Sequence, residues 1–160
     1  MRRFLFLIMV VFVASCLPEK AESKKDQIVF KQEKVQILSP RRSPINLTVE
    51  IADTNKKRMR GLMYRTKLSD DAGMLFLFPS RRKISMWMAN TVISLDMIFI
   101  DECGKITEIV ENTEPFSHDE IRSQKDVPAV LEIGAGLSKR YGLQPGDIVK
   151  HAFFKLENSE

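Results

Sequence analysis

Cysteine is nearly absent from this chain: there are two in 160 residues, Cys16 and Cys103. That excludes a disulfide framework and any thiolate-rich metal site with paired Cys-x-x-Cys spacing. Histidine is equally scarce, and His118 and His151 have ligand spacing neither to each other nor to a cluster of Cys, Asp or Glu. Glycine numbers seven and builds no phosphate-cradling loop, since Gly134-Ala135-Gly136 lacks the third glycine and follows no alternating strand and helix pattern. No charge sign dominates. The formal net charge of +4 is too mild to point to nucleic acid. The leading apolar run, Phe4 to Ala14, has 11 residues and is too short to cross a bilayer as a helix.

That run is informative for another reason. Arg2-Arg3 followed by apolar residues is the layout of a secretory signal, and Val13-Ala14-Ser15-Cys16 places a small residue before a cysteine, as in a bacterial lipobox. We expect a signal peptide over 1–15, acylation of Cys16, and a charged, flexible tether over 16–33. A single domain then follows over 34–154, with a disordered tail over 155–160. The chain is expected in the cell envelope, as a periplasmic or outer-membrane lipoprotein held to the membrane by its lipid. The alternative is an ordinary signal cleaved near Ser15 or Ala21, giving a soluble periplasmic or secreted form. A monomer is expected, with no nucleic-acid partner and no cofactor. With Cys16 acylated, Cys103 is a lone thiol in a hairpin loop; otherwise a Cys16 to Cys103 bridge would tether the terminus.

Within the domain, short strands dominate. Val35 to Leu38 reads as a strand, and Ile45, Leu47, Val49 and Ile51 alternate with polar residues as in a half-buried strand. Asp53 or Thr54 can cap a helix over 55–63, in which Met59, Leu62 and Met63 form an apolar stripe; Gly61 marks a close approach or the helix end. Gly73 to Phe78 is a strand ended by Pro79, and Arg81 to Lys83 is a basic loop. Ser85 to Ile100 should be two strands with a turn at Asn90-Thr91, Met86 and Met88 facing one way and Trp87 the other. Met97 to Ile100 pairs with Ile106 to Val110 as a hairpin. Residues 111–126 form a lid-like or disordered loop, Val127 to Ile133 a strand, Leu137 to Tyr141 a helix capped by Gly142, and Ile148 to Phe154 the last strand. The fold class is mainly β, a barrel or sandwich of about seven or eight short strands with two short helices.

Several motifs occur in register: Arg58-Met59-Arg60-Gly61-Leu62-Met63-Tyr64-Arg65, Gly73-Met74-Leu75-Phe76, Trp87-Met88-Ala89-Asn90-Thr91, Leu95 to Asp101, and Leu131-Glu132-Ile133-Gly134-Ala135-Gly136 followed by Gly142. Together they resemble the prokaryotic domain-of-unknown-function family 192 over roughly residues 34–154. The resemblance implies a small mainly-β fold, often in the envelope, and brings no established activity or cofactor. The family usually has lysine where this chain has Ala89, and often phenylalanine where it has Met86, so chemistry needing an amine there is absent.

Polar groups inside these apolar motifs must be paired or near water, which singles out Arg58, Arg65, Trp87, Asn90, Thr91 and Asp96. In the structural reading Arg58 or Arg65 forks onto Asp96 while Asn90 and Thr91 tie a turn. In the functional reading the same groups rim a pocket for a small molecule or partner, an arginine binding an acidic or hydroxylated ligand and the indole stacking on it. A Cu(I) site on Met86 and Met88 is the metal alternative, since thioethers are soft ligands. A hydrolase is weaker: Asp96 and Asp101 would face opposite sides of an extended run, about 16 Å apart. In cells supplied with radiolabelled palmitate, Cys16→Ser should abolish labelling of the protein; unchanged labelling would exclude Cys16 as the anchor.

Overall fold

The structure, a computed structural model, describes residues 28–155. The signal segment, Cys16 and most of the expected tether lie outside the described residues, as does nearly all of the expected tail. β1 (Gln32–Ser39) and β2 (Arg42–Ala52) form a hairpin, joined through α1 (Asn55–Arg60) to β3 (Ala72–Arg82). There follow β4 (Ser85–Met86), β5 (Leu95–Ile100), β6 (Ile106–Val110), β7 (Ile121–Arg122), β8 (Val127–Gly134), α2 (Leu137–Tyr141) and β9 (Ile148–Lys150). Seven strands make one sheet in the order β6-β5-β8-β3-β2-β1-β9, and β4 pairs with β7 in a second, small one. The fold is mainly β, with two short helices among the described residues. The large sheet curls into a half-barrel, bringing its ends together where Ile106 N–H donates to the Asp147 carbonyl at 2.8 Å and Val149 N–H to that of Gly104 at 2.7 Å.

Alternation along the strands divides the core in two. Val35, Ile37, Leu47, Val49, Ile98, Leu131 and Val149 fill the concave side. Met74, Phe76, Met97, Phe99 and Val130 lie on the outer face of β3, β5 and β8, beneath Leu62, Ile84, Met86 and Met88 of the covering segments. Burial on both faces explains why β5 and β8 read as continuous apolar runs. Gly73 lets β3 and β8 approach closely, because a Cβ there would stand 2.6 Å from the Glu132 carbonyl oxygen.

Several expectations are corrected. Ser85 to Ile100 does hold two strands with a turn at Asn90 between them, but β4 is only two residues long and the two belong to different sheets, β5 pairing with β6 and β8. β2 and β3 run parallel, joined by a crossover over 53–71. α1 stops at Arg60 because Gly61 takes φ +47°, and the expected apolar stripe fails with it, leaving Met59 67% exposed. β3 continues past Pro79 to Arg82, with irregular pairing to β8 between Leu77 and Arg82. Residues 111–126 are ordered and carry β7. The last strand ends at Lys150, and His151 is not isolated, its Nε2 lying 3.0 Å from Glu33.

Two buried carboxylates fasten the turns. Asp147 holds Arg41 at 2.5 Å and Arg42 at 3.0 Å, pinning the β1–β2 turn beside β9. Burial pushes its pKa up, but the Gln144 amide, Ser39 and Arg42 outweigh that and hold it below the ordinary value. Asp96 at the start of β5 is fully buried and meets no arginine. It accepts the backbone N–H groups of Asn112 at 2.9 Å, Gly136 at 3.1 Å and Ser138 at 2.9 Å. The expected fork from Arg58 or Arg65 is therefore wrong: three amides from two loops supply what a guanidinium would have supplied. Asp96→Ala would strand all three amides and should cost about 3 kcal/mol or more. Asp96→Asn, which keeps one acceptor oxygen, should cost less. Urea denaturation measures both, and an alanine variant as stable as the parent would contradict the assignment.

Candidate functional site

The outer face of β3, β5 and β8 is covered by loops rather than by a second full sheet, and the cover is incomplete. Between the end of α1, β3 and the β4 segment lies a pocket of about 490 Å³, within the range of small-molecule sites. Leu62, Met63, Phe76, Met86 and Trp87 give it apolar walls, and Glu132 of β8 reaches it from the sheet.

Glu132 is the least expected residue of the site. It sits opposite Met74 on β3 and Met97 on β5, both fully buried, and is itself only 4% exposed. Among the described residues no hydrogen bond or ion pair satisfies its carboxyl. Burial alone pushes its pKa up to about 8, so the group is neutral at neutral pH. Arg65 is engaged elsewhere, forking onto Glu50 at 2.8 and 2.6 Å. A buried polar group facing a cavity without a partner is one that a ligand can satisfy.

The covering loops are held in sparsely populated backbone conformations. Tyr64, Asn90, Asn112 and Phe116 all have positive φ, from 54° to 65°, each costing roughly 1–3 kcal/mol unless its surroundings impose it. Here they do. Tyr64 N–H donates to the Asn90 carbonyl at 3.0 Å, Phe116 N–H to that of Thr91 at 3.1 Å, and Asn112 N–H to Asp96. Trp87, in the same loop, stands at the pocket 47% exposed.

Of the six residues expected to form the site, Arg58, Trp87 and Thr91 line the pocket; Arg65, Asn90 and Asp96 do not. Arg58 donates to the Asp53 and Leu77 carbonyls at 2.8 and 2.6 Å and lies over the Phe78 ring at 5.2 Å. Thr91 ties its own turn, its hydroxyl reaching the Ala89 carbonyl at 3.4 Å and its N–H that of Met88 at 3.0 Å. Met86 and Met88 are buried while Trp87 between them is half exposed, although Met86 and Trp87 line the same pocket. Met86 reaches the pocket, whereas the Met88 sulfur is buried behind it and accepts the Thr113 hydroxyl at 3.2 Å. Among the described residues no three His, Cys, Asp or Glu side chains cluster to hold a metal. Glu132 stands outside those six; its signal in the sequence is a single carboxylate within Val127 to Ile133, a run otherwise apolar.

The model of the family DUF192 (Uncharacterized ACR) matches residues 36–151. The chain belongs to DUF192. A crystal structure from Sinorhizobium meliloti 1021, of a protein described as a proposed transcription regulator, is 41% identical with a TM-score of 0.78, covering 80% of this chain and 99% of that one. A protein of unknown function from Novosphingobium aromaticivorans DSM 12444 is 34% identical with a TM-score of 0.73, covering 75% of this chain and 85% of its own. No curated protein matches.

In this DUF192 domain the raised pKa of Glu132 makes stability depend on pH. The unfolded carboxyl ionises near its ordinary 4.5 while the folded one keeps its proton until about 8. Its contribution is therefore fully present below pH 4.5 and is lost as pH rises through that window. Glu132→Gln cannot ionise, so it should match the parent in acid and exceed it, by on the order of a few kcal/mol, in mild alkali. Urea denaturation across pH checks this; a parent advantage that grows with pH would contradict it.

Proposed function

We propose that this protein is a ligand-binding module of the cell envelope, held to the membrane through Cys16, with its binding site in the pocket over the outer face of the sheet. The observation that carries this reading is Glu132, a buried carboxyl with no internal partner facing a pocket with one exposed indole on its wall. A core position of that kind costs stability, and a ligand that hydrogen-bonds the carboxyl recovers it. The strained, mutually bonded loops around Trp87 fit a site whose shape is set before the ligand arrives.

The Sinorhizobium relative's description points towards transcription instead. The signal-like layout of Arg2-Arg3 and the apolar run after it, with a net charge of only +4, weigh against carrying that to this protein. The paired-carboxylate hydrolase finds no support in the pocket lining, where Glu132 is the one acidic side chain.

Anilinonaphthalene sulfonate, an aromatic anion whose emission rises in apolar surroundings, tests the site. The purified protein should bind one dye per chain, with energy transfer from Trp87. Met63→Trp, which adds bulk to the pocket wall, should weaken binding about tenfold, or about 1.4 kcal/mol. Binding unaffected by that variant, or no binding at all, would overturn the assignment.

A further inference from the structure

We propose that the pocket takes an organic anion whose inner end carries a hydrogen-bond acceptor, with the anionic group at a cationic mouth and Glu132 donating its proton to the acceptor. This rests on the pocket being the binding site and adds the chemistry of its occupant.

The mouth supplies the first half of the inference. Arg58, Arg60, Arg82 and Lys83 all contribute to the lining. Among the described residues none of them forms an ion pair, although Arg41, Arg42, Arg65, Arg81 and Arg140 all do. The arginines of the mouth rest on aromatic rings instead. Arg60 lies 4.6 Å from the Tyr64 centroid, while Arg58 and Arg82 lie 5.2 and 5.8 Å from that of Phe78. A ring positions a guanidinium without neutralising it; Arg58 is tied in addition to the Asp53 and Leu77 carbonyls and to the Asn55 side chain, so Arg60, Arg82 and Lys83 are the cations left most available to an incoming anion.

The inner end supplies the second half. The side chains around Glu132 from its own sheet are Met74 and Met97, and the cover contributes Leu62 and Met86, all apolar. The Thr91 hydroxyl is engaged by the Ala89 carbonyl. The charged groups nearby are the four cations of the mouth, Asp53, which is paired with Lys57 and lies close enough to Arg58 to be stabilised by it, and the Arg65–Glu50 pair, which is closed on itself. A ligand cation would have to pass the mouth against repulsion to reach a carboxyl that is not ionised. A carbonyl or ether oxygen on an anionic ligand meets no such opposition and takes the proton as a hydrogen bond.

The experiment displaces the bound dye with three compounds of one skeleton: para-acetylbenzoate, para-ethylbenzoate and para-acetylbenzylamine. The acetyl acid should compete about tenfold better than the ethyl acid, the margin of one neutral hydrogen bond in an apolar site, and the amine should be the weakest. Glu132→Gln, a neutral side chain that still donates, should keep the acetyl preference within about threefold, and Glu132→Leu should erase it. Should the leucine variant fail to fold, the glutamine variant alone decides. Preference for the amine, loss of the acetyl preference in Glu132→Gln, or no acetyl preference in the parent would each overturn the proposal. If the dye still binds and Met63→Trp still weakens it, such a result leaves the pocket assignment standing; if the dye does not bind, both fall.

Discussion

Asp96 is the fastening on which the outer layer of this molecule depends. It opens β5, lies fully buried, and holds amides from two separate segments, one carrying Asn112 and the other the entry to α2. A carboxylate surrounded by backbone N–H groups needs no cation, because three partial positive charges in fixed directions replace one. The arginines are thus released for other work, Arg65 to Glu50 and Arg58 to the carbonyls beside the pocket. Fixing Asn112 also fixes the segment that follows, where Phe116 and Ser117 are bonded to the Trp87 loop.

The pocket follows from a mismatch between the two faces of the sheet. The concave face is closed by the curl of the half-barrel, so its apolar residues satisfy one another. The outer face must be covered by what the connections provide: a helix of six residues, the two-residue strands β4 and β7, and bonded turns. Those pieces bury Met74, Met97 and Phe99 completely but leave an opening over Glu132. A leucine in its place would be the ordinary choice for a position flanked by two buried methionines.

Much of the fold could be read from the residues. The alternation of Ile45 to Ile51, the hairpin around Cys103 and Gly104, the helix closed by Gly142 and the alternating burial of Met86, Trp87 and Met88 all follow from local periodicity and turn chemistry. Partner choice could not be read that way. Parallel pairing of β2 with β3 depends on where a crossover lands, and the acceptance of three amides by Asp96 depends on segments up to 42 residues away. Three of the six expected site residues reach the pocket, because the sequence marks polar groups that need a partner without saying which kind. Glu132 escaped because an apolar run on both sides announces burial, while the opening beside it comes from loops elsewhere in the chain.

The central claim is that Glu132 is a neutral, unpartnered acid facing an open pocket. Nuclear magnetic resonance of its side-chain carboxyl, assigned by its disappearance in Glu132→Gln and followed across pH in the protein without added ligand, tests this most directly. A carboxyl that stays protonated at neutral pH and ionises near 8 is the expected result; one that ionises in the ordinary carboxylate range would contradict the account.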